Sequence, residues 1–561
     1  MEDRRFVTRT LALAVALLLL TLSPAAAYNN LYAHPTINEY AIKEFEETSL
    51  KYDEDLKGAT LDGAMANGIA WDFPEDRRVT LPSEGLVAQK RQKSMREWIT
   101  DAGFSADEPE GTMGLLHFYD PTNPSEPYLS NDLVNVYTQV LLGSPYRNPE
   151  TDAITWAIEG KDSLEGEELI FIQDYSWNDG KRYLKEALAS TDRQNENYGK
   201  AWRSLGETMH LIADMTVPAH VRNDAHPYND PYEAATGAQA IRYAQAFSPA
   251  ALNYDAGSLR NMMHAIALYT NNNFVTSDTV PLPPGISSPK YHNYPKPDLN
   301  AMTPRDDGYI YQQINGKDLR VARTRSALDQ WWYGGGTLYQ VDKRVINDQQ
   351  IVLIPTAIRG ATEAIDRFLP RIKPEIVSVQ QNEDGSFIVS GRAVWKKTTE
   401  WPDEMPIRNG VTMVWENSGK RETLSVPKSG SFNTFTYETR SLRDGDSVYL
   451  EYDLGGYVVK SAPYMVEAEP TTVPTTLPKT TLKTKTPTPT PTATKATTCA
   501  QSDCACQCAC FDYNNNGLSA DYKFCVSECK AGSYWCDCMY PKPSYCIAAT
   551  GTPPEGPPGF Y

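Results

Sequence analysis

Cysteine is absent from the first 498 residues of this 561-residue chain, and all ten cysteines lie between Cys499 and Cys546. The larger part of the chain therefore contains no disulfide. Only seven histidines are present, and no later segment contains the roughly 20 consecutive apolar residues that a membrane-spanning helix needs. Basic residues are outnumbered, 53 against 71 acidic ones, for a net charge of −18. This balance argues against a protein that relies on nonspecific phosphate contacts.

The first 27 residues have the pattern of a secretory signal peptide. Basic residues at positions 4, 5 and 9 precede an apolar run at 11–22 and an Ala-x-Ala cleavage site that ends at Ala27. The apolar run of 12 residues is shorter than a spanning helix, which favours cleavage over anchoring. We therefore expect a mature chain that begins at Tyr28 and is secreted or associated with the cell surface.

The remaining chain is predicted to be multidomain. Residues 28–373 carry mostly helical periodicity, interrupted by a proline-rich loop at 281–304, and residues 374–467 change to period-two runs separated by glycine turns. About seven such runs predict a small β-sandwich, either an Ig-like spacer or a membrane-docking module. The clearest predicted helices lie at 84–100, 180–189, 197–215, 258–271 and 319–369.

The C-terminal part divides into a linker and a cysteine-rich module. Residues 468–498 consist largely of Thr, Pro, Lys and Ala, a composition typical of an extended spacer. Residues 499–561 are predicted to form a disulfide-rich tail, because a segment this short buries little core. Zinc is the weaker alternative there, since the first cysteines alternate as Cys-x-Cys. Residues 512–517 resemble the start of a calcium loop, but its twelfth position is Lys523, which favours a turn.

Three of the seven histidines fall within seventeen residues, in the pattern His210-x3-Asp214-x5-His220-x5-His226. His210 and Asp214 are four residues apart on a predicted helix, so that one face presents both side chains to a common metal. Imidazole and carboxylate are ligands that zinc selects. By contrast, His264 lies in an apolar helical segment and is predicted to be a histidine at the edge of the core.

This pattern resembles the zinc-dependent phospholipase C family, whose fold is shared with the S1/P1 nucleases. Residues 206–233 carry the resemblance together with His-Phe-Tyr-Asp-Pro at 117–121 and the segment 34–42 that begins at His34. The resemblance spans roughly residues 28–250 and implies an all-α catalytic domain with three zinc ions. Five of the seven histidines occupy family ligand positions.

The resemblance implies a ligand set for each ion. The first zinc would take His117, His210, Asp214 and an upstream acid, and the second His220, His226 and a carboxylate. The third would take His34, Asp214 as a bridge, and the amino and carbonyl groups of the mature N-terminus. The complete set of implied metal ligands is Tyr28, His34, Asp107, His117, His210, Asp214, His220, His226, Asp230 and Glu233.

Three of these positions remain open. Asp107 is the preferred upstream acid, with Glu108 and Glu110 as close rivals. The family begins with Trp where this chain offers Tyr28, which is acceptable because the backbone makes the metal bonds. At the second site the family uses His-x3-Glu, whereas here the carboxylate is either Asp230 or Glu233, with Glu233 preferred because Tyr232-Glu233 resembles the family's Tyr-Glu pair. Both also fit a helix-capping box, with Asp230 as the N-cap.

The implied activity is hydrolysis of a phosphodiester by zinc-activated water, with Asp107 orienting or deprotonating that water. Phosphatidylcholine-like lipids are the preferred substrate, cleaved to diacylglycerol and a phosphorylated head group, with peripheral membrane contact. An S1/P1-type single-strand nuclease is the first alternative, although the acidic charge disfavours any stable nucleic-acid partner. A non-catalytic surface binding protein is the second.

Overall fold

The structure is a computed structural model in which the chain forms two compact units, Met1–Pro470 and Thr471–Tyr561. Several sequence predictions lie outside the described residues: the signal peptide, Tyr28, Glu108, Glu110, the linker at 468–498, the calcium-like segment at 512–523 and most of the cysteine-rich module. The structure describes residues 32–68, 79–81, 85–87, 92–107, 113–130, 150–160, 173–192, 195–226, 230–237, 242, 252, 254, 257–281, 294–326, 337–408, 411–424, 432–467, 534–536 and 546–548.

Helices form about half of the described chain before residue 370. The longest of these helices contains Pro355 yet continues through it. In chain order they are α1 (Ala33–Glu47), α2 (Ser49–Tyr52), α3 (Met95–Ser105), α4 (Ala153–Glu159), α5 (Trp177–Ala189), α6 (Asn197–Asp214), α7 (Pro231–Thr236), α8 (Leu259–Asn273) and α9 (Lys343–Phe368).

Helix α6 lies at the centre of the helical region, and almost every side chain on it is buried. It packs against α3 so closely that a Cβ added at Gly206 would lie 2.3 Å from the Ile99 carbonyl oxygen. The buried Asn38 amide on α1 donates hydrogen bonds to the carbonyls of Ile99 and Gly206, at 2.9 and 3.1 Å. One side chain thus joins α1, α3 and α6.

The expectation of an all-α region is corrected by several short strands. These are β1 (Ala66–Asn67), β2 (Val79–Leu81), β3 (Gly85–Val87), β4 (Gln92–Lys93), β5 (Tyr309–Ile314), β6 (Lys317–Thr324) and β7 (Tyr339–Gln340). Strands β5 and β6 form an antiparallel hairpin around Asn315 and Gly316, both of which have positive φ. An Asn-Gly pair favours this turn, so a hairpin forms where helix was predicted from 319 onward.

A second correction concerns the helix predicted to begin at residue 84. The chain is extended at β3 and β4, and helix α3 begins only at Met95. The reason is a capping box: Ser94 accepts a hydrogen bond from the Glu97 amide, while the Glu97 carboxylate accepts one from the Ser94 amide. The cap fixes the start of the helix that ends just before Asp107.

The following β region contains two antiparallel sheets. Its strands are β8 (Arg371–Gln381), β9 (Phe387–Lys396), β10 (Val411–Trp415), β11 (Arg421–Thr423), β12 (Thr434–Thr439), β13 (Ser447–Leu454), β14 (Tyr457–Lys460) and β15 (Tyr464–Met465). One sheet has the order β12-β9-β8; the other has β11-β10-β13-β14, with β15 also paired to β13. Leu450 of the second sheet lies against Gly391 of the first.

The turn between β13 and β14 attaches this β region directly to α6. Gly455 has a φ of +71° and lies against the Tyr198 ring, where a Cβ would approach the ring within 2.3 Å. Its carbonyl accepts a hydrogen bond of 2.7 Å from the Trp202 indole nitrogen. The β region therefore contacts the same helix that carries His210 and Asp214.

Within the second unit, the described residues form one pair of short strands. Strand β16 (Tyr534–Cys536) pairs with β17 (Cys546–Ala548) in antiparallel register, with Cys536 opposite Cys546. Among all described residues, no helix combines the length and the apolar character needed to cross a membrane.

Candidate metal centre

Six segments bring most of the predicted ligands to one place. His34 lies in the first turn of α1, and Asp107 follows the end of α3. His117 follows a short 3₁₀ turn at Gly114–Leu116, α6 supplies two ligands, the turns after it two more, and α7 one. The side chains brought together are His34, Asp107, His117, His210, Asp214, His220, His226 and Glu233.

Asp214 is the residue that joins these side chains. Its Oδ1 lies 3.5 Å from His34 Nε2 and 3.5 Å from His220 Nδ1. Its Oδ2 lies 3.0 Å from His117 Nδ1 and 3.3 Å from His210 Nε2. All five side chains are at most 1% exposed. One fully buried carboxylate thus contacts four imidazoles.

Around Asp214 the ligand atoms form two overlapping groups suited to a cation. One consists of His34, His210 and Asp214, and the other of Asp107, His117 and His210; in each, the ligand atoms lie within 4.8 Å of one another. Asp107 is 1% exposed and its Oδ1 lies 3.1 Å from His117 Nδ1. The structure therefore brings Asp107 into the cluster.

His220, His226 and Glu233 make up the other group. Glu233 Oε1 lies 3.0 Å from His220 Nε2, and its Oε2 lies 3.2 Å from His226 Nε2. Asp230 instead accepts hydrogen bonds from the amides of Tyr232 and Glu233, at 2.7 and 3.1 Å, as the N-cap of α7. Of the two carboxylates left open by the sequence, Glu233 faces the imidazoles and Asp230 caps the helix.

The polar atoms of these groups fit a cation better than they fit one another. The carboxylate oxygens of Asp107, Asp214 and Glu233 are buried and accept no hydrogen bond of regular geometry from the described residues. They face imidazole nitrogens at 3.0–3.6 Å instead. Buried carboxylates normally have hydrogen-bond partners, and a nitrogen and oxygen donor set of this kind binds zinc.

In the two groups around Asp214, the electrostatic interactions favour a protonated His210 beside an ionised Asp214. Burial alone would lower the pKa of His210, but the carboxylates of Asp214 and Asp107 outweigh it and raise this pKa to about 9. Burial raises the pKa of Asp107 to about 7. For Asp214, the opposing effect of His210 and His220 exceeds that of burial and holds its pKa well below the usual value. A cation would therefore have to displace protons from this cluster.

In the third group, too, the electrostatic interactions favour a protonated imidazole beside an ionised carboxylate. Burial would lower the pKa of His226, yet the Glu233 carboxylate raises it to about 10. Burial would raise the pKa of Glu233, whereas His226 and His220 bring it down to about 2. Burial, with Glu233 nearby, raises the pKa of Asp230 to about 6. Without a cation, an imidazolium–carboxylate pair occupies this group.

Backbone carbonyls and an aromatic ring orient the imidazoles. His210 Nδ1 lies 2.8 Å from the Gly103 carbonyl oxygen, so that its Nε2 faces the cluster. A Cβ at Gly103 would lie 2.8 Å from the His34 backbone, which explains the glycine where α1 meets α3. Phe118 stacks on His220 with ring centroids 4.6 Å apart. Sequence reasoning missed these contacts, because no spacing rule marks them.

His264 lies outside all three groups. It is half-buried on α8, and its Nδ1 lies 2.7 Å from the Tyr119 hydroxyl. The position agrees with a histidine at the edge of the core. The ring of Tyr119 therefore faces α8, whereas its neighbours Phe118 and His117 face the cluster.

Comparisons with known proteins give little to set beside this geometry. The chain matches no family model and no curated protein. Among solved structures it aligns with the alpha toxin from Clostridium absonum, with 10% identity over 64% of this chain and 77% of that chain. The TM-score of 0.23 is too low to bear on function.

Proposed function

We propose that this protein is a zinc-dependent phosphoric diester hydrolase that binds three zinc ions. The observation that carries the proposal is the position of Asp214, whose two oxygens contact His34, His117, His210 and His220 in one buried cluster. A carboxylate that contacts four imidazoles is suited to bridge neighbouring cations. The same residues carry the resemblance to zinc-dependent phospholipases C.

Each group has a distinct ligand role in this proposal. The first zinc would be held by His117, His210, Asp107 and Asp214, and the second by His220, His226 and Glu233. The third would be held by His34 and Asp214 with the amino and carbonyl groups of Tyr28, which lies outside the described residues. When bound, zinc lowers the pKa of a water molecule to about 7 and neutralises phosphate charge.

Asp107 is the proposed catalytic residue of the chain itself. It lies at the end of α3, is 1% exposed, and contacts both His117 and His210. From this position its carboxylate would orient an attacking water and accept its proton. His210, held through Nδ1 by the Gly103 carbonyl, keeps a fixed orientation during that step.

A phosphatidylcholine-like lipid is the proposed substrate, cleaved to diacylglycerol and phosphorylated head group. Two features support a lipid over a nucleic acid. The net charge of −18 opposes binding of an extended polyanion, and the His-Phe-Tyr-Asp-Pro motif resembles the phospholipase branch more closely. We propose further that the protein is exported and meets lipid as a peripheral protein.

The test is mass spectrometry of products formed by the zinc-loaded chain from a mixture of phosphatidylcholine vesicles and single-stranded RNA. The affinity tag belongs at Tyr561, because an N-terminal tag would remove the free amine of Tyr28. Diacylglycerol with phosphocholine is the expected result. Nucleotides with intact lipid would move the protein to the nuclease alternative. A chain that retains no zinc after loading and turns over neither substrate would favour the non-catalytic alternative.

A further inference from the structure

A second buried polar cluster lies behind the group of His220, His226 and Glu233. We name it the Arg222 cluster and define it by Arg222, Asp224, Asn271, Thr276 and Thr279, each at most 7% exposed. Two of its members lie between His220 and His226 in sequence. The other three lie in the last turn of α8 and the residues after it.

The Arg222 guanidinium ties the histidine-bearing turns to α8. Its Nε donates to Thr279 Oγ1 at 2.8 Å, and one terminal nitrogen donates to the carbonyls of Asn271 and Lys296 at 2.6 and 2.9 Å. In return the Asn271 amide donates to the Val221 carbonyl at 2.6 Å. The carbonyl end of a helix also favours a cation electrostatically.

Asp224 continues the cluster toward the metal group. Its carboxylate accepts a 2.5 Å hydrogen bond from the Thr276 hydroxyl, which lies 2.9 Å from the Thr279 hydroxyl. The Asp224 backbone carbonyl lies 2.7 Å from His226 Nδ1. A proton on Nδ1 leaves Nε2 to face Glu233 at 3.2 Å. The Asp224 backbone carbonyl thus fixes which nitrogen His226 presents to the group, while Thr276 holds the Asp224 side chain.

The turns that carry His220 and His226 depend on such contacts for their shape. Residues 215–226 form turns and irregular structure, although they supply two of the three ligands. Orienting partners of metal ligands commonly change metal affinity by about 10- to 100-fold when removed. The Arg222 cluster occupies the position of such partners.

We propose that Thr276 is a positioning residue for the His220/His226/Glu233 group, and that it acts through Asp224. The inference rests on the proposed function, because it presupposes that this group binds zinc. It adds a residue that lies just beyond α8, outside the histidine motif.

The test compares single substitutions in the full chain. Thr276→Val removes the hydroxyl that meets Asp224, and Thr276→Ser restores it. Thr270→Val is the matched control, because the Thr270 hydroxyl is equally buried but donates to Ile266 within α8, at 3.0 Å. Thr276→Ala is a further variant that removes the hydroxyl without placing a γ-methyl group against Asp224, as valine does. Zinc affinity is measured by competition with a chromophoric chelator, and the stability of the zinc-free proteins by thermal unfolding.

Thr276→Val and Thr276→Ala should lower the affinity for one zinc ion about 10-fold or more, while the affinity for the remaining ions stays unchanged. Thr276→Ser and Thr270→Val should bind every ion like the wild type. Unchanged affinity of all ions in the Thr276→Ala variant would overturn the inference and leave the proposed function standing. A wild-type chain that binds no zinc would overturn the proposed function and the inference together.

Discussion

The two neighbouring buried polar clusters differ in how their polar groups are satisfied. In the Arg222 cluster, the Nε and one terminal nitrogen of Arg222, the Asn271 amide and the Thr276 hydroxyl each meet an oxygen acceptor at 2.5–2.9 Å. In the three histidine–carboxylate groups, the carboxylates face imidazoles at 3.0–3.6 Å and accept no hydrogen bond of regular geometry from the described residues. Both clusters are buried within the same fold. The difference indicates that the three histidine–carboxylate groups are arranged to hold a ligand. A cation fits their nitrogen and oxygen atoms.

Substitution of Asp214 should have the largest effect on zinc binding and turnover. Asp214→Asn removes a charge from a side chain that contacts four imidazoles, so we expect the loss of more than one zinc ion. Turnover should fall on the order of 1,000-fold or more. Metal analysis and initial rates on the same preparation provide the measurement. A variant with full zinc content would show that Asp214 does not join the groups.

Asp107→Asn should separate catalysis from binding. If Asp107 orients and deprotonates water, kcat should fall by about 100-fold or more, with a much smaller change in KM. Steady-state kinetics at saturating zinc is the measurement. Unchanged kcat would remove Asp107 from the catalytic role, while lost zinc at unchanged kcat per occupied site would limit it to metal binding.

Glu233 and Asp230 offer a comparison within three residues. Glu233→Gln should weaken zinc binding at the His220/His226 group, since Glu233 contacts both imidazoles. Asp230→Asn should leave zinc content unchanged, because Asn also caps helices well. Zinc titrations of the two variants under the same conditions make the comparison. The reverse pattern would assign the ligand role to Asp230.

The pH dependence of the zinc-free chain should give the smallest effect. The pKa values of His210 and His226 are raised to about 9 and 10, above an ordinary value of about 6.5. Their stabilising contribution is therefore complete below about pH 6.5 and is lost as the pH rises through those values. Asp107, whose pKa is raised to about 7, acts in the same direction.

Thermal unfolding of the zinc-free chain should thus shift to lower temperature between about pH 6 and pH 9. Zinc favours the deprotonated ligands, so the gap between zinc-loaded and zinc-free midpoints should widen over the same interval. The wild type and a His226→Gln variant, titrated in parallel, supply the measurement and its control. A gap that narrows with rising pH would contradict protonated His210 and His226 in the zinc-free protein.

The helix that carries His210 and Asp214 was accessible from sequence, since 3.6-residue periodicity places i and i+4 on one face. For the second site, the Tyr232-Glu233 pair favours Glu233 over Asp230 only by resemblance, because the outcome depends on where the turn before α7 brings the chain. The Arg222 cluster was equally hidden: Arg222 lies 49 residues from Asn271 and 57 from Thr279, and no spacing rule relates them. The β5–β6 hairpin is predictable from Asn315-Gly316, because the turn preference of this pair outweighs the helical periodicity that begins nearby.

The zinc content of the full chain, exported and purified without chelator, tests most directly whether the protein binds three zinc ions. The measurement is plasma mass spectrometry on wild-type protein and the Asp214→Asn variant, both tagged at Tyr561. The proposed function predicts more than one zinc ion per wild-type chain, approaching three, and a marked loss in the variant. A wild-type chain that holds no zinc and gains none from a zinc-containing buffer would contradict it.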